Sequence, residues 1–231
     1  MKKTLIFIFL LFSILIYSQQ KITGKVVYNI SLIPLDKSKK SESNQIPKED
    51  KQKAMSIIKN IKDVQFALLF NNNESLYMLI DKMDSDANPT LNLAKVVAGG
   101  DDLYYNNNEL NYTIYQKDDG GELWLVSYLE PKWNLTQEKI YIGNYLCYKA
   151  TLNNENNFAW YTPEIPVNFG PKKYHGLPGL VLEVQIGGLS FKASEIVLNP
   201  KESISIKKPI KGIKINEDEF YKRYKDFLNE F

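Results

Sequence analysis

The stretch AWYTPEIPVNFGPKKYHGLPGLVLEVQI, residues 159–186, places a dense run of proline and glycine between an aromatic segment and an apolar one. The constrained positions are Pro163, Pro166, Gly170, Pro171, Gly176, Pro178 and Gly179. Proline fixes φ, and glycine reaches backbone angles that other residues avoid. The stretch therefore predicts a loop of defined shape that connects two strands.

The end of this loop predicts a tight turn followed by a strand. Residues 177–180 are Leu-Pro-Gly-Leu, which suits a type II turn because proline favours position i+1 and glycine supplies the positive φ at i+2. Side chains alternate beyond the turn. One face is predicted to be core and the other semi-exposed or cavity-lining, with Leu180, Leu182, Val184 and Ile186 on the first and Val181, Glu183 and Gln185 on the second.

Two interpretations of the loop stay open. In the first, it turns a corner of the sheet and plugs one end, since turns built from proline and glycine usually serve geometry. In the second, it is a rigid binding loop flanked by aromatic side chains. The candidate binding residues are Trp160, Tyr161, Pro163, Glu164, Pro166, Gly170, Pro171, Tyr174, Gly176, Leu177, Pro178, Gly179 and Leu180.

The motif GLPGL at residues 176–180, with AWYTPEIP upstream, resembles the GLPGLI family of exported bacterial proteins. The similarity extends to Trp133, to residues 140–150 and to residues 191–193, a little under a third of the chain. Val181 stands where the family name has its last isoleucine. The resemblance implies an exported protein, and it assigns no reaction, ligand or cofactor because the family has no established activity.

Residues 1–19 have the features of a signal peptide. Lys2 and Lys3 precede an apolar run over residues 5–16, and Ser18 offers a small residue near the expected cleavage site. The run is short for a membrane span, so an uncleaved anchor is the weaker alternative. We expect a single β-rich domain over residues 20–231. We also expect export from a Gram-negative cell to the periplasm, the outer-membrane periphery or the outside.

Charge and cysteine content narrow the classes of function. The chain has 29 basic and 27 acidic side chains, and loss of Lys2 and Lys3 with the signal would leave no net charge. That balance argues against a nucleic-acid partner. The lone cysteine, Cys147, excludes an intramolecular disulfide and is interpreted as a small buried hydrophobe.

Hydrophobic periodicity predicts an α+β fold. Turn signals at Asn71–Glu74, Asn106–Asn108, Gly143-Asn144 and Gly187-Gly188 separate short strands. An N-terminal amphipathic helix is expected over residues 47–63 and a C-terminal helix over residues 217–231. The expected architecture is a large, curved, half-barrel-like antiparallel β-sheet of roughly eight strands, with an aromatic face.

Catalytic and metal-binding patterns are sparse. The single histidine, His175, and Cys147 form a conceivable nucleophile–base pair, but neither lies in a motif typical of such enzymes. Zinc sites usually draw on several histidines and cysteines. We therefore predict no cofactor and no metal, and we favour a non-enzymatic protein.

Three functions remain, in order of preference. The first is an exported cell-envelope protein whose curved sheet binds an apolar small molecule or a segment of an envelope protein. The second is a structural or interaction module with a filled core. The third is a hydrolase that uses Cys147 and His175. An open apolar cavity would favour the first function, and a packed interior would favour the second.

Overall fold

The computed structural model describes residues 21–33, 64–80 and 93–229. This part of the chain forms twelve strands and two helices. The strands are β1 Gly24–Leu32, β2 Val64–Phe70, β3 Glu74–Leu79, β4 Leu103–Asn107, β5 Tyr112–Asp119, β6 Glu122–Ser127, β7 Asn134–Ile142, β8 Tyr145–Leu152, β9 Asn154–Thr162, β10 Leu180–Ile186, β11 Leu189–Leu198 and β12 Ile213–Asn216. The helices are α1 Leu93–Ala98 and α2 Glu217–Asn229.

All twelve strands belong to one open, curved sheet, in the order β12-β6-β5-β4-β3-β2-β1-β11-β10-β9-β8-β7. Most neighbours are hairpins, because short polar turns join strands that alternate in hydrophobicity. Strand β1 is not part of such a hairpin. It pairs with β2 on one side and with β11 on the other. The first strand of the described chain thus joins the two halves of the sheet.

One face of the sheet carries the main core, and we call it the covered face. On β1 it presents Val26, Tyr28 and Ile30, all fully buried. The recurrence of apolar residues at positions 26, 28 and 30 predicts such a face, and the burial of all three confirms it. Phe169 of the loop over residues 163–179 lies 6.5 Å from the ring of Phe70, and Phe220 of α2 lies 5.8 Å from Trp124. The loop and α2 therefore close over this face.

The opposite face has a smaller core on β3 to β6, made of Leu76, Tyr105, Ile114 and Leu125. Ile206, from the segment between β11 and β12, packs against it. The sheet is therefore apolar on both faces over these four strands, which explains why they are rich in aromatic and branched residues.

Several expectations need correction. The sheet has twelve strands rather than about eight, and β12 runs parallel to β6 instead of antiparallel. Val181, expected to be semi-exposed, is fully buried because the register of β10 shifts between Val181 and Glu183. The predicted C-terminal helix is confirmed as α2. The helix expected over residues 47–63 and the signal peptide over residues 1–19 lie outside the described residues.

Candidate functional site

The loop over residues 163–179 is part of the core. Ile165, Val167, Phe169 and Leu177 have at most 5% of their surface exposed. The ring of Tyr174 lies 5.8 Å from that of Phe191 on the covered face. The burial of these four side chains stabilises the position of the loop on the sheet, since each contributes about 1.5–3 kcal/mol of transfer free energy.

Backbone hydrogen bonds fold the loop back on itself beside β10. The amide of Leu180 donates to the carbonyl of Ile165 at 3.0 Å, and that of Val181 donates to Phe169 at 3.0 Å. The amide of Gly176 donates to Asn168 at 2.8 Å. The loop can stay buried because these bonds satisfy its polar backbone.

The turn at the end of the loop differs from the predicted type II turn. The amide of Gly179 donates to the carbonyl of Leu177 at 2.8 Å, a three-residue turn centred on Pro178. Such a γ-turn suits the fixed φ of proline. The expected bond across four residues does not form, because the amide of Leu180 is bound to Ile165 instead.

Two glycines are required by close packing. A Cβ on Gly170 would lie 2.1 Å from the carbonyl oxygen of Tyr174, and one on Gly179 would lie 2.2 Å from that of Thr162. Gly179 also has a φ of +151°, which side chains rarely adopt. The glycines of the motif therefore allow the loop to contact the strands directly.

The candidate binding residues do not form one surface. Successive residues of a strand point to opposite faces, so Trp160 and Tyr161 of β9 lie on different sides of the sheet. Glu164 is occupied, since its Oε1 accepts the amide of Leu146 at 2.9 Å. The exposed members are Pro163, Glu164, Pro166, Gly176 and Pro178; Tyr174 is half-buried, and Trp160, Tyr161, Gly170, Pro171, Leu177, Gly179 and Leu180 are buried.

Cys147 and His175 are not arranged as a nucleophile and its base. The Sγ of Cys147 contacts the carbonyl of Tyr145 at 3.6 Å, and burial raises the pKa of this thiol to about 11. The Nδ1 of His175 lies 3.7 Å from Oε1 of Glu130, and burial lowers the pKa of its ring to about 4. A protonated thiol beside other partners is a poor nucleophile.

The structure assembles a charged cluster that the sequence did not reveal. We call Lys117, Lys172 and Lys173 the lysine cluster. Lys117 Nζ lies 3.5 Å from Oδ1 of Asp102, and Lys173 Nζ lies 2.7 Å from Oε1 of Glu217. These positions are up to 115 residues apart and match no motif, so only the tertiary fold brings them together.

Lys172 is the unusual member of the lysine cluster. Its backbone is left-handed, with φ at +54°, and its Nζ donates to the carbonyl of Val97 at 2.7 Å. Burial, reinforced by the neighbouring charge of Lys173, lowers the pKa of Lys172 to about 8. Burial likewise raises the pKa of Asp102 above its ordinary value.

Tyrosines line the covered face next to this cluster. Tyr77, Tyr104 and Tyr115 are direct cross-strand neighbours on β3, β4 and β5. Their rings lie 5.1 to 6.0 Å apart. The expected aromatic face exists, but the chain itself covers it, and the hydroxyl of Tyr77 is buried with no hydrogen-bond partner among the described residues.

Two broader properties concern only the described residues. Neither of their helices is long and apolar enough to cross a membrane. No group of three or more histidine, cysteine, aspartate and glutamate side chains among them is placed to hold a metal ion.

Comparison with known proteins gives a partial family match. A family described as "Protein of unknown function (Porph_ging)" matches residues 152–183, which run from the end of β8 through the loop into β10 and include the GLPGL motif. A search of curated proteins found no match. The matched region thus contains the whole loop over residues 163–179, where proline and glycine restrict the backbone most.

Solved structures show the same fold within a longer chain. Two structures of PNGF-II, in space groups C2 and P21, resemble this protein with TM-scores of 0.53 and 0.54 and sequence identities of 14% and 15%. Each comparison covers 87% of this chain and 32% of the PNGF-II chain. At this identity the likeness concerns the fold alone.

Proposed function

We propose that this chain is a non-catalytic interaction module of the cell envelope, which binds an extended segment of a partner protein at the edge strand β7. The observation that carries the proposal is the filled covered face. Phe169 and Leu177 occupy it with at most 1% exposure, so the chain's own loop lies where an apolar ligand was expected. A packed interior favours the interaction module over the apolar carrier.

Strand β7 is the surface best suited to a partner. It is one of the two outermost strands, and β8 is its sole neighbour among the described strands. Leu135, Ile140 and Tyr141 are 59%, 39% and 73% exposed. An unpaired strand edge with exposed apolar side chains is the surface to which an extended peptide adds as a further strand.

The geometry of β7 limits where a partner can pair. The register with β8 shifts between Leu135 and Lys139, which disturbs the ladder in the middle of the strand. From Lys139 to Ile142 the pairing is regular. Edge bulges and lysines discourage unselective strand pairing. We therefore assign the docking stretch to residues 139–142, with Tyr141 as its anchor.

The location of this activity belongs to the same proposal. Residues 1–19 direct export, and residues 20–231 form the mature domain. The PNGF-II comparison, in which this fold is one part of a longer chain, supports its use as a module. N-terminal sequencing of protein from its native envelope should begin near residue 20, and an intact Met1 in the envelope fraction would contradict cleavage.

The docking surface is tested by site-specific photo-crosslinking in the native host. A photoreactive residue at Tyr141 should give the same partner band as one at Ile140, which lies in the same docking stretch. Ile210, which is 76% exposed and distant in sequence from β7, is the matched control and should give none. The adduct is then digested, and its peptides are identified by mass spectrometry.

Two further results decide the proposal. Tyr141→Lys should abolish the band from the reporter at position 140, whereas Ile210→Lys should leave it intact. No adduct at either β7 position, together with a stoichiometric lipid-like mass in native mass spectrometry, would replace the interaction module with the apolar carrier.

A further inference from the structure

We propose that the lysine cluster binds a small oxyanion, with Lys172 as the central donor, where the loop over residues 163–179 meets α1 and β4. The ligand class is a carboxylate, sulfate or phosphate group. This site is separate from β7, and the inference does not depend on the proposed function.

Charge pairing is the first argument. Asp102 is paired with Lys117 and Glu217 is paired with Lys173. Lys172 Nζ instead donates to a neutral carbonyl, that of Val97, and no carboxylate of the described residues lies within 4.0 Å of it. A partly buried ammonium without a direct counter-ion is costly, and an oxyanion would compensate it.

Position is the second argument. Lys172 follows the buried Pro171 in a turn closed by the amide of Tyr174, which donates to the carbonyl of Pro171 at 2.9 Å. Its Nζ lies 5.9 Å from the centre of the Tyr104 ring. The turn fixes the backbone of Lys172, and the hydrogen bond to Val97 holds its ammonium group beside the sheet, so ligand binding requires less ordering of this side chain.

The surrounding charges predict how binding depends on pH. Lys117 and Lys173 repel the charge of Lys172, whereas Asp102 and Glu217 attract it. Burial and the other lysines prevail, and the pKa of Lys172 falls to about 8. Between pH 7 and pH 9 the charged fraction of Lys172 should fall about tenfold. The ammonium group is mostly protonated at pH 7 and mostly neutral at pH 9.

Sulfate and acetate are the probes. Their binding is measured by isothermal titration calorimetry and by the changes in the amide chemical shifts of Gly99 and Gly100. Wild-type protein should bind sulfate about tenfold more weakly at pH 9 than at pH 7. Lys172→Arg should bind at both values with little change, because a guanidinium stays charged. Lys172→Asn should lose at least tenfold at pH 7, since asparagine tolerates the left-handed backbone but carries no charge.

Lys201→Asn, at an exposed position, is the matched control and should behave as wild type. The inference is overturned if neither anion binds at tens of millimolar, if Lys172→Asn binds as wild type does, or if Lys172→Arg shows the wild-type loss at pH 9. In those cases Lys172 only caps the end of α1. If Lys172→Asn fails to fold by circular dichroism, the comparison of wild type with Lys172→Arg decides alone.

Discussion

At the scale of single residues, this protein depends on positions where a side chain would not fit or where a buried group must stay uncharged. Gly179 shows the first case, because strand β9 approaches it too closely for a Cβ. His175 shows the second, because it is 1% exposed and its Nε2 has no partner among the described residues. Both positions lie in or beside the motif over residues 176–180.

Gly179→Ala should destabilise the fold by about 3 kcal/mol or more, because the new Cβ would collide with the backbone of Thr162 at an unfavourable φ. Gly187→Ala is the control. Gly187 also has a positive φ, +56°, but nothing lies within 4 Å of its added Cβ. We expect the control to cost only about 1 kcal/mol. Urea unfolding measures both, and equal losses would contradict the steric explanation.

His175 should make the fold acid-sensitive. Burial lowers the pKa of the folded ring from its ordinary 6.5 to about 4, so the unfolded chain binds more protons between these values. Stability is therefore complete above pH 6.5 and falls as the pH drops towards 4, by up to about 3 kcal/mol. His175→Phe should remove this dependence. The measurement is the urea midpoint at pH 7 and pH 4.5, and an unchanged loss in the variant would exclude His175 as its source.

At the scale of elements, the β7–β8 hairpin is tied to the loop at two points. Trp133, just before β7, donates its Nε1 to the carbonyl of His175 at 2.7 Å. Glu164 of the loop accepts the amide of Leu146 on β8 at 2.9 Å. The proposed docking strand and the motif loop are therefore mechanically connected.

Trp133→Phe should loosen the loop without unfolding the sheet. It removes one hydrogen bond, worth about 1 kcal/mol, and leaves the carbonyl of His175 without its donor. Hydrogen exchange of the amides over residues 174–177 should become faster, while β1 and β11 stay protected. Tyr141→Phe, at a 73% exposed position, is the control and should change neither.

At the scale of the whole molecule, β1 makes the two halves of the sheet interdependent. It pairs along its length with both β2 and β11, which are more than 110 residues apart in sequence. Each half therefore loses a neighbouring strand if the other unfolds. The fold should behave as one cooperative unit, as the expected single domain over residues 20–231 requires.

Thermal unfolding of the mature protein should thus show one transition, with equal calorimetric and van't Hoff enthalpies. Near-ultraviolet and far-ultraviolet circular dichroism should report the same midpoint. Two resolved transitions would show that the sheet divides into separate units beside β1.

Local sequence determined the strands, the hairpins and the C-terminal helix. Alternation over residues 26–30 and the glycine pair at residues 187–188 are short-range signals, and the structure follows them. The alternation after the motif was a weaker guide, because the bulge between Val181 and Glu183 arises from pairing with β9, which no pattern within β10 contains. The number of strands was likewise underestimated, since weakly apolar segments become strands only beside a neighbour.

Only the tertiary structure decided what the aromatic face does. The sequence identified the tyrosines and the rigid loop. It did not show that the loop folds back over the sheet and buries Phe169 and Leu177 against the aromatic face. The lysine cluster has the same origin, because Asp102, Lys172 and Glu217 meet through contacts between distant elements. Backbone preferences act between near neighbours and can therefore be predicted from one sequence. The burial of a side chain and the charges around it depend instead on which remote segments pack together.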